Sequence, residues 1–172
     1  DFLSNNHPNI SVDTIDHFDL HKKYEFDPTF KGIKIFQPES RLRRTISRDY
    51  LKIPVTSDQY ELYVDLWKSN RGGTYSLEVI KKIKKANCIL FNGEGSTYRK
   101  NFGSLAGLYL LYFSKRIYNK PSFFINGSIT ISSVDNVLEG IIKKLNREGV
   151  KFLVREPFSK RSLENIGINS DV

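Results

Sequence analysis

Between residues 76 and 167, short apolar runs alternate with longer stretches whose apolar residues recur at helical spacing. The runs at 87–91, 122–125 and 150–154 are too short for helices and long enough for buried strands. Between them, residues 76–86 carry Leu77, Ile80 and Ile83 along one side, and residues 102–118 carry Leu105, Leu108, Tyr109, Tyr112 and Ile117. Residues 134–148 place Val137, Leu138, Ile141, Ile142 and Leu145 inward. Asn119-Lys120-Pro121 and Gly149 stop the second and third of these helices, Pro157 opens a last short one, and Gly167 closes it. Strands separated by helices return parallel through right-handed crossovers. The expectation is an α/β fold: a Rossmann-like parallel sheet with helices on both faces, as one domain over residues 1–172.

The first seventy residues are less regular. Residues 10–15 and 31–36 read as short strands, and Leu42, Ile46 and Tyr50 predict a helix over 39–51. Residues 58–69 fit two patterns. Tyr60, Leu62, Val64 and Leu66 alternate as in a strand, while Tyr60, Tyr63, Val64 and Trp67 form a helical stripe. Asn70-Arg71-Gly72-Gly73 ends either element.

Composition narrows the class. Twelve Phe and nine Tyr in 172 residues argue against a disordered chain. Apolar runs such as 108–113 fall far short of the roughly 20 residues that span a membrane. The single cysteine, Cys88, allows no internal disulfide and reads as a small core residue in a buried strand. His7, His17 and His21 lack metal-ligand spacing, so no metal is expected. Residues 1–6 do not read as a signal sequence, and a cytoplasmic, reducing setting is the expectation. With no Met anywhere, the chain is expected to be part of a longer one.

The net charge of +8 is uneven: residues 1–40 carry net −3, leaving net +11 on the rest. Two basic clusters dominate, Arg41, Arg43, Arg44 and Arg48, then Lys81, Lys82, Lys84 and Lys85. Apolar residues at helical spacing within them point to solvated helix faces. The same faces are able to dock at the inner surface of an anionic membrane. Nucleic acid is not the expected partner.

Parallel sheets bind ligands beyond the carboxyl ends of their strands. Three segments fall there: Asn92-Gly93-Glu94-Gly95-Ser96, Asn126-Gly127-Ser128, and Arg155-Glu156 with Ser159. Gly93 and Gly95 are expected to supply unusual torsions and close backbone approach, although a plain strand-to-helix turn is the alternative. The loop is neither the dinucleotide fingerprint nor a Walker loop. Arg155 is able to grip a phosphate or carboxylate, or simply to pair with Glu156 or Glu164.

These segments resemble the polysaccharide pyruvyl transferase family. Ala86-Asn87-Cys88-Ile89-Leu90-Phe91-Asn92-Gly93-Glu94-Gly95-Ser96 is similar to its apolar strand and Gly-x-Gly-Ser loop. Lys120-Pro121-Ser122-Phe123-Phe124-Ile125-Asn126-Gly127 is similar to its next strand. Phe152-Leu153-Val154-Arg155-Glu156, with Ser159, Leu163 and Gly167, is similar to a third segment. The resemblance covers residues 75–172 and lacks the family's opening strand and Asn-x-Gly-Asp loop.

It implies one half of a glycosyltransferase-B type architecture, with the first strand and a second domain outside this chain. It implies transfer of a pyruvyl ketal group from phosphoenolpyruvate to a sugar of a cell-surface saccharide, lipid-linked or free, without a cofactor. The family's donor-binding Arg and His match nothing here, so no catalytic residue is carried over. A nucleotide-sugar glycosyltransferase and a noncatalytic saccharide-binding domain are the competing readings.

Overall fold

The computed structural model describes residues 13–15, 34–36, 52–73, 76–93, 96–97, 102–131 and 136–170. The chain divides after Ser47 into two units. In the first, β1 (Asp13–Ile15) and β2 (Lys34–Phe36) pair in parallel, Thr14 opposite Ile35. The helix expected over 39–51, its arginine cluster and all three histidines lie outside the described residues.

The second unit opens with a turn of 3-10 helix, Ser57–Gln59, running into α1 (Tyr60–Lys68). The helical pattern wins over the alternating one. Tyr60, Val64 and Trp67 are buried on one stripe, while Leu62, which a strand would have turned inward with them, is 60% exposed. Asn70 and Gly73 then reverse the chain with positive φ. Next come α2 (Ser76–Lys85), β3 (Ile89–Asn92), a two-residue β4 (Ser96–Thr97) and α3 (Phe102–Tyr118). The chain continues through β5 (Ser122–Ile129), α4 (Asn136–Glu148), β6 (Lys151–Val154) and α5 (Pro157–Glu164).

Among the described residues of this unit, all pairings are parallel and centre on β5. On one side β3 pairs along residues 122–125, and β4 pairs with Ser128 and Ile129; β6 also pairs with β5. Phe91, Phe124 and Phe152 are register partners, so their rings share one face. They stack in sequence, with centroids 5.6 and 5.9 Å apart. Helix α3 lies on this face: a Cβ on Gly107 would come within 2.4 Å of the Phe91 ring. Its residues from Leu105 to Phe113 are buried nearly all round, because α1, α2 and α4 pack against it or its neighbours.

Three expectations need correction. The 87–91 run was expected to be buried, but among the described residues β3 pairs with β5 alone, Leu90 is 51% exposed, and Cys88 before it is exposed. Leu77, expected on the inner stripe of α2, is 42% exposed; Ser76, Val79, Ile80 and Ile83 fill that face instead. The strand expected to end at Ile125 runs on to Ile129 through a register shift at Asn126.

Aromatic packing joins α1 to α3. Trp67 lies between Tyr109 and Phe113, at 5.2 and 5.1 Å between centroids, and its indole N–H donates to the Lys52 carbonyl at 2.6 Å. Tyr60 packs edge-on against Tyr109 and Tyr112. The Tyr112 hydroxyl donates to Glu61, which Lys144 also approaches at 3.5 Å. Burial pushes the hydroxyl pKa values of Tyr60, Tyr109 and Tyr112 well above the ordinary tyrosine value.

Two predictions follow from this packing. A phenol whose folded pKa is raised stabilises the fold below its unfolded pKa near 10 and destabilises it as pH rises beyond. Absorbance titration at alkaline pH should therefore show these three tyrosines ionising only together with unfolding. Separately, Gly127→Ala should cost about 1–3 kcal/mol in urea denaturation, because its Cβ would stand 2.3 Å from the Phe124 ring. Adding Phe124→Leu should recover part of that loss.

Candidate functional site

The carboxyl edge of the sheet carries most of the expected site residues. Asn126 is held at φ 52° where β5 shifts register, a conformation that asparagine tolerates better than most residues. The irregularity leaves its side chain exposed, and its amide donates to Oδ1 of the Asn92 side chain at the end of β3, at 3.3 Å. Two residues along β5, Ser128 meets the end of β6. The Arg155 guanidinium donates to the Ser128 hydroxyl at 3.0 Å and to the Glu156 carboxylate at 3.1 Å. Ser159 donates to the other Glu156 oxygen at 3.0 Å, and its own hydroxyl accepts the Ile129 backbone N–H at 2.9 Å. Ser162 accepts the Ile131 N–H in the same way.

This network has a local origin. Extended backbone at Glu156 followed by Pro157 starts α5 directly beyond β6. The first turn of α5 then faces the last residues of β5, which run on beyond the pairing with β6. Ser159 and Ser162 supply the acceptors that a neighbouring strand would otherwise provide. Ser159 is fully buried, so its hydroxyl serves the fold. Arg155 and Glu156 remain 50% and 33% exposed and stand at the rim, where a desolvated pair would have been costly. Pairing with Glu156, one of the two alternatives for Arg155, is realised here.

Hydrogen bonding from Ser128, then from Arg155, holds the Glu156 carboxyl below the usual carboxylate range. A carboxylate kept ionised in this way accepts hydrogen bonds well and takes up protons poorly. With Asn92, Asn126 and Arg155 beside it, the rim offers amide donors and acceptors, a guanidinium and a carboxylate. That set suits a polyhydroxylated ligand better than it suits proton transfer.

The glycines act otherwise than expected. Gly93 has no positive φ; among the described glycines only Gly73, Gly149 and Gly167 do. It is buried, and a Cβ there would stand 2.4 Å from the Phe124 ring and 3.1 Å from the Gly127 Cα. Gly93 and Gly127 thus let β3 and β5 close over Phe124. Their role is packing beneath the rim, not strained backbone at a ligand. Glu94 and Gly95 lie outside the described residues, and Ser96 is placed by its backbone alone, opposite Ser128 in register. Sequence reasoning missed the Asn92–Asn126 bond and the continuation of β5. The Asn126-Gly127 pair was the available signal, since such pairs mark irregular backbone as well as chain reversal.

Comparison of the chain with protein-family models, curated proteins and solved structures returns no match.

The two serine and arginine roles separate in denaturation. Ser159→Ala orphans a buried N–H and should cost about 1–3 kcal/mol. Arg155→Ala removes a half-exposed pair and should cost less than about 1 kcal/mol. Urea midpoints of the two variants measure the difference.

Proposed function

We propose that the chain is the acceptor-side domain of a transferase that modifies a saccharide, of the polysaccharide pyruvyl transferase type. The observation that carries the reading is the row Asn92, Asn126, Ser128, Arg155 and Glu156 across the carboxyl ends of adjacent parallel strands. This is where α/β sheets take their ligands, and the groups present are those that hydrogen-bond sugar hydroxyls. The segment resemblance supports the same reading and adds the donor, phosphoenolpyruvate, with a second domain in a glycosyltransferase-B arrangement.

In the proposed reaction one sugar hydroxyl adds to the enol carbon of phosphoenolpyruvate while the methylene carbon gains a proton. A second hydroxyl displaces phosphate at the same carbon. The product is a pyruvate ketal, and inorganic phosphate leaves. Arg155, Glu156 and the two asparagines would orient the two hydroxyls; the donor-binding groups belong to the other domain. No catalytic residue is assigned within this chain.

Phosphate release by the full-length protein, given phosphoenolpyruvate and a saccharide bearing two neighbouring free hydroxyls, tests the reading. Release that requires both substrates is expected. Nucleoside diphosphate release from a nucleotide sugar would support a glycosyltransferase instead. Saccharide binding with neither release would indicate a noncatalytic domain. Arg155→Ala should weaken saccharide binding roughly tenfold, the value of one hydrogen bond to a charged group, with little change in melting temperature. If melting collapses while the protein that stays folded binds normally, Arg155 is structural.

A further inference from the structure

We propose that the amino edge of the sheet, with the adjoining open sheet face, docks on an anionic phospholipid surface. Helices α3 and α4 connect parallel strands and therefore run back against them, ending at the strands' amino ends. The last turn of α2 ends there too, since Lys120, two residues before β5, donates its ammonium to the Lys84 carbonyl at 3.1 Å. Lys81, Lys84, Lys85, Lys120, Arg147 and Lys151 gather at this edge, and among the described residues none has a carboxylate partner. Glu148, an acid at the same edge, is already paired with Arg116 at 3.6 Å.

Neutralising helix termini explains only part of this charge. The carboxyl ends of three helices carry about −0.5 charge each, roughly −1.5 together, against these six cations. The Lys84 ammonium lies over the Tyr118 ring at 5.8 Å, which holds it without discharging it. A surplus of about four positive charges is left facing solvent.

The neighbouring sheet face identifies the partner. Leu90, Phe123 and Lys151 form one row across the three strands, and Asn92, Ile125 and Leu153 the next row on the same face. Leu90 is 51% and Leu153 39% exposed, although parallel sheets bury both faces almost without exception. Lysines bordering exposed Leu90 and Leu153 and half-buried Phe123 match a lipid interface, which accepts apolar side chains below its phosphates. Nucleic acid satisfies the charge alone, and five of the six cations are Lys, which lacks the bidentate phosphate grip of Arg.

The basic edge of this surface lies at the amino ends of the strands, away from the asparagine and arginine rim, and its apolar face reaches the rim at the row of Asn92. Ser122 at the amino end of β5 and Asn126 at the rim are four residues and about 13 Å apart. None of the lysines belongs to the proposed saccharide site, so the inference does not rest on the transferase reading.

Flotation of the full-length protein with phosphatidylcholine vesicles, with and without phosphatidylserine, tests it. Recovery should require phosphatidylserine. Each lysine contributes roughly fivefold to such binding, so Lys81→Gln, Lys85→Gln and Lys151→Gln together should weaken it about 10²-fold. Leu90→Ser should remove the part of the binding that survives high salt. All four positions are exposed, and an unchanged melting temperature verifies the fold. Equal recovery with both vesicle types overturns the proposal, as does undiminished binding by the triple variant. Tighter binding to a short DNA duplex, insensitive to Leu90→Ser, assigns the surface to nucleic acid and overturns it as well. Saccharide binding should be unaffected by the triple variant, so either proposal is able to fail without the other.

Discussion

The Phe124 ring fills the space over two residues that have no side chain. It lies against Gly93 on the neighbouring chain segment and Gly127 on its own strand, where a Cβ on either would come within 2.4 Å of it. Phe91 and Phe152 flank it in register, and Phe91 in turn lies under Gly107 of α3. A row of three rings therefore sets the approach of the covering helix and the need for glycine at positions 93 and 127. Protein interiors are packed to crystal-like density, so such a row admits little adjustment. The irregular end of β5 depends on it too. Gly127 must sit against Phe124, and the chain meets that demand by shifting register at Asn126. The exposed Asn126 amide at the rim is thus a consequence of packing beneath it.

Parallel topology gives the sheet two unlike edges. At the carboxyl ends, strands give out onto turns whose backbone groups need partners, and Ser159 and Ser162 meet that need with side chains. At the amino ends, returning helices deliver their carboxyl termini, which favour lysine and arginine in the last turn. The polar rim and the basic edge arise from the same alternation of strand and helix. They stand at opposite ends of the same short strands, which keeps the lysines of one edge off the polar groups of the other.

Much of this was legible in the sequence. The boundaries of α3 follow from an uninterrupted helical pattern closed by Asn119-Lys120-Pro121, and Gly149 and Gly167 do adopt the positive φ that their places after helices imply. The parallel pairing follows from strand, helix, strand order. The placing of Arg155 and Glu156 at the edge follows from the cost of burying charge after an apolar strand. Each of these rests on short-range physics: backbone torsion, periodicity and local solvation.

What the sequence left open depends on contacts between residues distant along the chain. Residues 60–68 carried both periodicities, and helix won because Trp67 found Tyr109, Phe113 and the Lys52 carbonyl. Leu77 and Cys88 are apolar enough for a core, but both are exposed, and no described element covers them. Gly93 and Gly127 announce only that a side chain is missing; the Phe124 ring supplies the reason. The sequence by itself determined the order and class of the elements, because torsional and hydrophobic patterns act within a few residues. Tertiary structure alone decided which faces are covered and which polar groups meet, because those outcomes depend on the space left by side chains from other elements.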